Sequence, residues 1–240
     1  MLEKNGINAD VLTVCEDDSL KGYDCAVVLG GDGTILDVAK KAALCSVPVA
    51  GVNLGRIGYL SSVEPENTEK LLSIDENSGI QRRMMLSLFY RGKEYHALND
   101  IVISEKRATR MISVSVSADD GDPCEYNSTS LIFSTPTGSS GYNVSAGGPV
   151  IEPTLECIAV TPVCPHTGTS RSFVYKPGTV FTAADISSAD KDVLISVDGG
   201  AELPLKHGES VKITRSDIYV KLLEFDDEPF AKTLIRKMKI

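Results

Sequence analysis

The sequence predicts an α/β domain followed by an all-β, sandwich-like domain, on three observations. Residues 1–80 alternate short apolar runs with stretches of helical spacing. Residues 81–225 are a succession of short β-rich runs separated by Gly, Asp and Pro turns. The composition is globular throughout, with 240 residues, 42% hydrophobic and 24% charged, 20 Gly and 11 Pro. Disorder, collagen and coiled coil are excluded for the chain as a whole.

The chain opens with LEKNGINADVLTV, which reads as a helix tail, a Gly6 cap and then a strand. An α/β domain usually starts with a strand ahead of such a helix, so either the fold is pared down or a leading strand–helix unit is missing. DCAVVL, Asp24–Leu29, is a short apolar run ending in Gly-Gly, as a buried parallel strand would. Ile35–Leu44 has helical spacing, with Ile35, Leu36, Ala39 and Ala43 on one side. Val47–Leu54 reads as a second buried strand and Pro65–Leu72 as a helix. Strand, helix and strand at these lengths predict a parallel crossover.

From Gln81 the pattern changes. Met84–Tyr90, Glu94–Ser104, Met111–Ala118, Ser130–Ser134, Ile158–Pro162, Val193–Val197 and Ile218–Leu223 are β-rich. MISVSVSA alternates apolar residues with Ser, the period of a strand with one wet face. FAKTLIRKMKI, after Asp226–Pro229, predicts a terminal helix.

Six scattered cysteines form no CxxC pair, and the three histidines show no HExxH spacing. Neither a zinc site nor a disulfide framework is expected; most cysteines read as small buried apolar residues in a reducing compartment. No apolar run reaches the roughly 18 residues of a membrane helix, and charged LEKNG after Met1 is no signal peptide, so a cytoplasmic location is expected. The net charge of −9 argues against nucleic acid as a partner. An anionic substrate would have to be met locally by backbone amides and a metal.

Four segments have the residue types of a site. Gly30-Gly31-Asp32-Gly33-Thr34 joins a strand to a helix, where glycines let a ligand approach the amides and the helix N-terminus attracts phosphate. It is neither a Walker A loop nor GxGxxG. A carboxylate beside a phosphate makes sense if it takes a proton from an attacking hydroxyl or helps hold Mg²⁺; the plainer alternative is an Asp N-cap. GVNLGRIGYL, Gly51–Leu60, sits at a strand's C-terminal end, where open α/β sheets bind ligands, or is simply a glycine-rich turn. Asn99-Asp100 interrupts an apolar strand; the pair would suit ribose hydroxyls or mark a bulge. Ser134–Pro149, STPTGSSGYNVSAGGP, is dense in hydroxyls and glycine, with Tyr142 available to stack on a ring.

These blocks, followed by TPVCPHTGTSRSFV, occur in the order found in NAD kinases, which the chain resembles from Asp24 to its end. GGDGT alone is shared with diacylglycerol-type lipid kinases; the Ser134 block is what singles out NAD kinase. The resemblance implies an α/β domain at residues 1–80, carrying the phosphate donor and catalytic loop. That domain is joined by a returning C-terminal helix at 226–240, with a β-sandwich NAD-binding domain at 81–225. It implies phosphoryl transfer from ATP, or polyphosphate, to the adenosine 2′-hydroxyl of NAD with Mg²⁺ or another divalent cation. Asp32 is then the catalytic proton acceptor. Gly30, Gly31, Gly33 and Thr34 form the phosphate-donor loop. NAD is contacted by Asp32, Gly33, Asn99, Asp100, Arg110, Ser140, Gly141, Tyr142, Asn143, Val144 and Ser145. No metal ligand is assigned, and a homo-oligomer, dimer or tetramer, is expected.

The chain departs from the family pattern in three places. Asn127 and Thr129 stand where an Arg and an Asp are usual, Gly200 where Gln is frequent, and Ser140-Gly141-Tyr142 where TAY is usual. These departures keep a second reading open, a non-catalytic NAD(P)-binding homologue. A diacylglycerol-type lipid kinase is the third; no basic or amphipathic membrane-facing segment supports it.

Overall fold

The computed structural model describes residues 1–55, 59–107, 110–188, 193–225, 230, 232, 234 and 235. The chain divides into two compact units, Met1–Arg83 with Ile218–Ile240, and Met84–Asp217.

In the first unit, Ala26–Gly30 (β1) and Val49–Asn53 (β2) pair in parallel, with Ala26 opposite Val49 and Gly30 opposite Asn53. Asp32–Leu44 (α1) makes the crossover. Its apolar residues Ile35, Ala39, Ala42 and Ala43 recur at helical spacing and are buried. All five residues of β2 are buried, as expected of an interior parallel strand. On its other side β2 pairs in parallel with the end of a late strand, through Leu222 and Val49. Ala50, Val52, Val63, Leu71 and Leu223 form a core cluster, against which Leu2, Cys25 and Val27 also pack.

Two expectations are corrected. Residues 7–14 form no strand, and Val11 is 91% exposed; without a partner strand, local β propensity has no ladder to join. The helix expected over Pro65–Leu72 is present as Pro65–Ser73, in 3₁₀ form and interrupted at Asn67 (φ −115°), with only Leu71 buried to hold it. None of the six cysteines is buried; five are half-buried and Cys164 is exposed. All are free thiols. The opening helix tail exists as one 3₁₀ turn, Glu3–Asn5, closed by Gly6 at φ +78°. The terminal helix at 226–240 falls largely outside the described residues.

The second unit is β-rich. Its strands are Ile80–Tyr90 (β3), which enters from the first unit, Lys93–Ala97 (β4), Asp100–Glu105 (β5), Ile112–Ala118 (β6), Cys124–Ser128 (β7), Ser130–Ser134 (β8) and Ile158–Val163 (β9). They continue with Thr167–Gly168 (β10), Phe173–Tyr175 (β11), Phe181–Ser188 (β12), Val193–Val197 (β13), Ala201–Leu205 (β14) and Val211–Leu223 (β15), which leads back to the first unit. One antiparallel sheet runs β11-β9-β8-β5-β13-β14. The other orders β15-β12-β6-β7-β10. Phe133 of β8 meets Phe181 of β12 edge-on at 5.3 Å, and Tyr175 of β11 meets the same ring at 5.0 Å. The expected run Glu94–Ser104 breaks at Leu98-Asn99 into β4 and β5.

Candidate active site

Two constellations, one in each unit, hold the residues that the sequence singles out. In the first, Gly31 is the N-cap of α1 with extended backbone and no side-chain cap, so Asp32 is the first helical residue and not the cap. Its carboxylate is held from across the fold. Tyr59 N–H donates to Oδ2 at 2.7 Å and Leu60 N–H to Oδ1 at 3.2 Å. The Gly51–Leu60 segment is thereby joined to the GGDGT loop, as is Leu54, whose N–H donates to Gly30 C=O at 3.1 Å. Buried Asn53 braces the same segment, accepting from Gly55 N–H at 3.1 Å and donating to Glu64 Oε2 at 3.2 Å. Burial and the Asp32 charge together push the Tyr59 phenol upward.

The glycines of this loop differ in what they do. A side chain at Gly30 would strike Thr34, whereas one at Gly31 or Gly33 would enter open space. Thr34 and Gly33 are exposed. The first turn of α1 thus lies open to solvent at Gly33 and Thr34, with the positive end of the helix behind it.

In the second unit, Asn99 and Asp100 open β5. The carboxylate of Asp198 accepts from the N–H groups of Leu98 at 2.9 Å, Asn99 at 2.7 Å and Asp100 at 3.0 Å. Those three amides therefore serve a side chain instead of a ladder, which is why the strand breaks here. Asp100 is 7% exposed, and burial followed by the nearby Asp198 charge pushes its carboxyl up to about 7. Among the described residues neither Asn99 nor Asp100 makes a side-chain hydrogen bond.

The segment after β8 packs against this corner. Thr135 N–H donates to Asn99 C=O at 2.9 Å and Thr135 Oγ1 to Leu98 C=O at 2.6 Å. Gly138 has to be glycine, since a Cβ would lie 2.1 Å from Asn99 C=O. Gly138–Ser140 is one 3₁₀ turn and Tyr142–Ser145 (α2) one α turn. Tyr142 is 43% exposed, presenting its ring to solvent. Asn143 is fully buried: Nδ2 donates to Ser139 C=O at 3.3 Å and Pro149 C=O at 2.8 Å, and Oδ1 accepts from Thr161 Oγ1 at 2.7 Å. Both of its donor hydrogens are committed inside the fold, so its side chain holds the segment in place. Ser140 Oγ donates to Thr137 C=O at 3.3 Å and Ser145 Oγ to Gly141 C=O at 3.4 Å. Gly141 is exposed and Val144 half-buried.

Arg110 is exposed just before β6, its N–H donating to Arg107 C=O at 2.9 Å. Asn127 lies in β7 opposite Ser113 and Thr167, and Thr129 bonds Val163 C=O at 3.1 Å between β7 and β8. Sequence reasoning passed over Asp198 and Thr135. The available signal for Asp198 was the Asp-Gly turn between the alternating segments VLISV and AELPL, which marks a hairpin.

Residues 3–75 match the ATP-NAD kinase N-terminal domain and residues 98–225 the ATP-NAD kinase C-terminal domain. The chain is 35% identical to the NAD kinase of Geotalea daltonii over 95% of its own length and 82% of that protein. It is 36% identical to the NAD kinase of Heliobacterium modesticaldum over 92% and 81%. Among solved structures, an NAD kinase from Archaeoglobus fulgidus in complex with ATP superposes with a TM-score of 0.85 at 27% identity, covering 99% of this chain and 91% of the other. Yeast NADH kinase complexed with NADH shares the fold, with a TM-score of 0.80 at 22% identity, covering 93% and 68%.

Proposed function

The chain belongs to the NAD kinase family: it is a phosphotransferase that makes NADP by moving a phosphoryl group from ATP to NAD; from that premise we propose how its residues divide the work. Asp32 accepts the proton of the attacking adenosine 2′-hydroxyl. The observation that carries this reading is the clamp on its carboxylate: each oxygen takes one backbone N–H, from Tyr59 and Leu60, and keeps a lone pair for the substrate. A carboxylate fixed in this way needs no reorganisation when the hydroxyl arrives.

Gly30, Gly31, Gly33 and Thr34 receive the donor phosphates, whether of ATP or of polyphosphate, at the first turn of α1. The residues present suit Mg²⁺. That ion commonly takes one or two carboxylates and completes its shell with substrate phosphates and water. Among the described residues no group of three His, Cys, Asp or Glu side chains forms a full protein cage. Asp32 beside an open amide-lined loop is a fitting partner, and the bound cation would neutralise phosphate charge.

Asn99 and Asp100 bind ribose or amide groups of the dinucleotide, Tyr142 stacks on one of its rings, and Gly141, Ser140, Val144 and Ser145 line the segment that wraps it. Arg110 supplies a positive charge toward its phosphates. Residues 1–80 form the donor and catalytic domain and 81–225 the NAD domain. The reading includes a homo-oligomer working in the cytoplasm. Among the described residues no helix is long and apolar enough to cross a membrane. The intact Asp32 clamp favours the catalytic reading over a non-catalytic homologue.

The test is NADP formation by the full chain with NAD, Mg²⁺ and either ATP or polyphosphate, alongside Asp32→Asn. Turnover by the wild type and its loss in the variant support the assignment; equal rates in both remove Asp32 from the chemistry.

A further inference from the structure

Asp198 lies in the turn between β13 and β14, with φ +52°, followed by Gly199 at φ +66°. Left-handed backbone at two consecutive residues is the mark of a tight hairpin turn, and Asp is among the few non-glycine residues that adopt it readily. A surface hairpin needs no carboxylate at this point; an Asn or a Gly would turn the chain as well. The carboxylate is instead directed back onto the start of β5, where it accepts three consecutive amides, from Leu98, Asn99 and Asp100. Its own N–H donates to Asp100 C=O at 2.9 Å, so the two strands are locked at this residue in both directions.

The lock joins segments about a hundred residues apart, and its target is the pair with uncommitted side chains. Asp100 is almost wholly buried and, like Asn99, has no side-chain hydrogen bond among the described residues. A second layer steadies the same corner: Thr135 binds the carbonyls of Leu98 and Asn99 through its hydroxyl and its N–H. Every backbone polar group of Leu98 and Asn99 named here is thus tied down by residues that the substrate has no cause to touch. Among the described residues, the side chains of Asn99 and Asp100 are left without a hydrogen bond.

We propose that Asp198 is a positioning residue for NAD binding, fixing the backbone of Leu98–Asp100 so that the side chains of Asn99 and Asp100 are presented to the dinucleotide. The proposal rests on the reading that those two side chains contact NAD. Asp198 acts only through them. A hydrogen bond to a charged group contributes about 1.5–3 kcal/mol, or roughly 10- to 150-fold in an equilibrium constant. Losing part of this set should therefore raise KM for NAD by one to two orders of magnitude and leave KM for ATP in place.

Asp198→Asn is the informative variant, because Asn keeps both the size and the tolerance of positive φ while placing an NH₂ against at least one of the three donors. Four proteins are compared: wild type, Asp198→Asn, Asn99→Ala/Asp100→Ala, and the triple variant. Steady-state KM for NAD and for ATP, thermal midpoint and calorimetric NAD affinity are measured for each. The expected result is a 10- to 100-fold rise in KM and Kd for NAD in Asp198→Asn, no rise in KM for ATP, and no further loss of NAD affinity when Asp198→Asn is added to the double variant. Unchanged NAD affinity in Asp198→Asn overturns the proposal. So does a parallel rise of both KM values with a fallen thermal midpoint, which would mean general loosening. An additive loss in the triple variant does the same. If Asp198→Asn does not fold, Asp198→Glu replaces it; the longer side chain keeps the charge and displaces the lock, and must likewise raise KM for NAD alone. A wild type that turns over ATP but not NAD, or a double variant with unaltered NAD affinity, would instead refute the assignment of Asn99 and Asp100, a different outcome.

Discussion

Asp100 and Asp198 are bonded to each other twice through the backbone of one and both ends of the other. Asp198 Oδ1 accepts from Asp100 N–H at 3.0 Å, and Asp198 N–H donates to Asp100 C=O at 2.9 Å. The arrangement brings a second carboxylate, that of Asp100, into a buried corner beside the first. Burial and the Asp198 charge raise Asp100 from its ordinary 3.8 to about 7.

This has a consequence for stability. Below pH 3.8 Asp100 is protonated in both the folded and unfolded chain and contributes no difference. Between that value and about 7 the folded chain holds a proton that the unfolded chain has released, so stability falls as pH rises. Above pH 7 the folded state carries the full penalty, on the order of 4 kcal/mol. Asp100→Asn removes the charge and should be more stable than wild type at pH 8, with the advantage vanishing toward pH 4. Thermal denaturation across that range checks it; a constant difference between the two proteins would contradict the buried-charge account.

Asp32→Asn should lower kcat by about 10²–10⁴-fold. NAD affinity should change little. Since the amide has one oxygen and the site has two N–H donors, either Tyr59 or Leu60 loses its acceptor, at about 1–3 kcal/mol of stability. Single-turnover rates and calorimetric NAD binding separate the two effects. A variant with weakened NAD binding and unchanged chemistry would make Asp32 a binding group only.

Tyr142 and Asn143 are neighbours with opposite expected phenotypes. Tyr142 is exposed, so Tyr142→Ala should leave the thermal midpoint alone and raise the NAD dissociation constant about 5- to 150-fold, with ATP unaffected. Asn143→Ala would orphan the carbonyls of Ser139 and Pro149 and the Thr161 hydroxyl inside the fold, at several kcal/mol for the set. It should show first as lost stability. Paired melting and NAD titrations decide between them; a stable Asn143→Ala with weak NAD binding would return Asn143 to the ligand-contacting group.

The pattern of what the sequence disclosed follows from where each signal resides. β1, α1 and β2 were legible because apolar spacing and the bounding glycines are local, and so was GGDGT as a break between strand and helix. The strand β12 (FTAADISS) was not, since Ala, Asp and Ser dilute its Phe, Thr and Ile and it pairs because β6 and β15 already offer ladders. Residues 9–14 show the converse, with strand-like composition and no partner. The Asn99-Asp100 pair was visible as an anomaly in an apolar run. That its backbone is held by Asp198, and Asp32 by the amides of Tyr59 and Leu60, depends on contacts 98 and 27 residues away in the chain, which no spacing rule contains.

Two glycines of the first unit differ sharply in the space around them. At Gly51 a Cβ would lie 2.7 Å from Ile35 Cδ1 and 3.1 Å from both Leu60 C=O and Ser61 Cα. Ile35 can shift, but the backbone at 60–61 cannot do so without moving the Leu60 N–H that holds Asp32. Gly51→Ala should therefore cost about 1–3 kcal/mol in stability and lower kcat with it. At Gly33 a Cβ meets nothing within 4 Å, and the residue lies inside α1, where Ala is favoured over Gly by up to about 1 kcal/mol. Gly33→Ala should raise the thermal midpoint while raising KM for ATP, because the methyl group fills the space proposed for the donor phosphates. Stability and donor affinity thus move in opposite directions at Gly33, whereas at Gly51 stability and turnover fall together. A Gly33→Ala protein with an unchanged KM for ATP would show that the phosphates lie elsewhere along the loop.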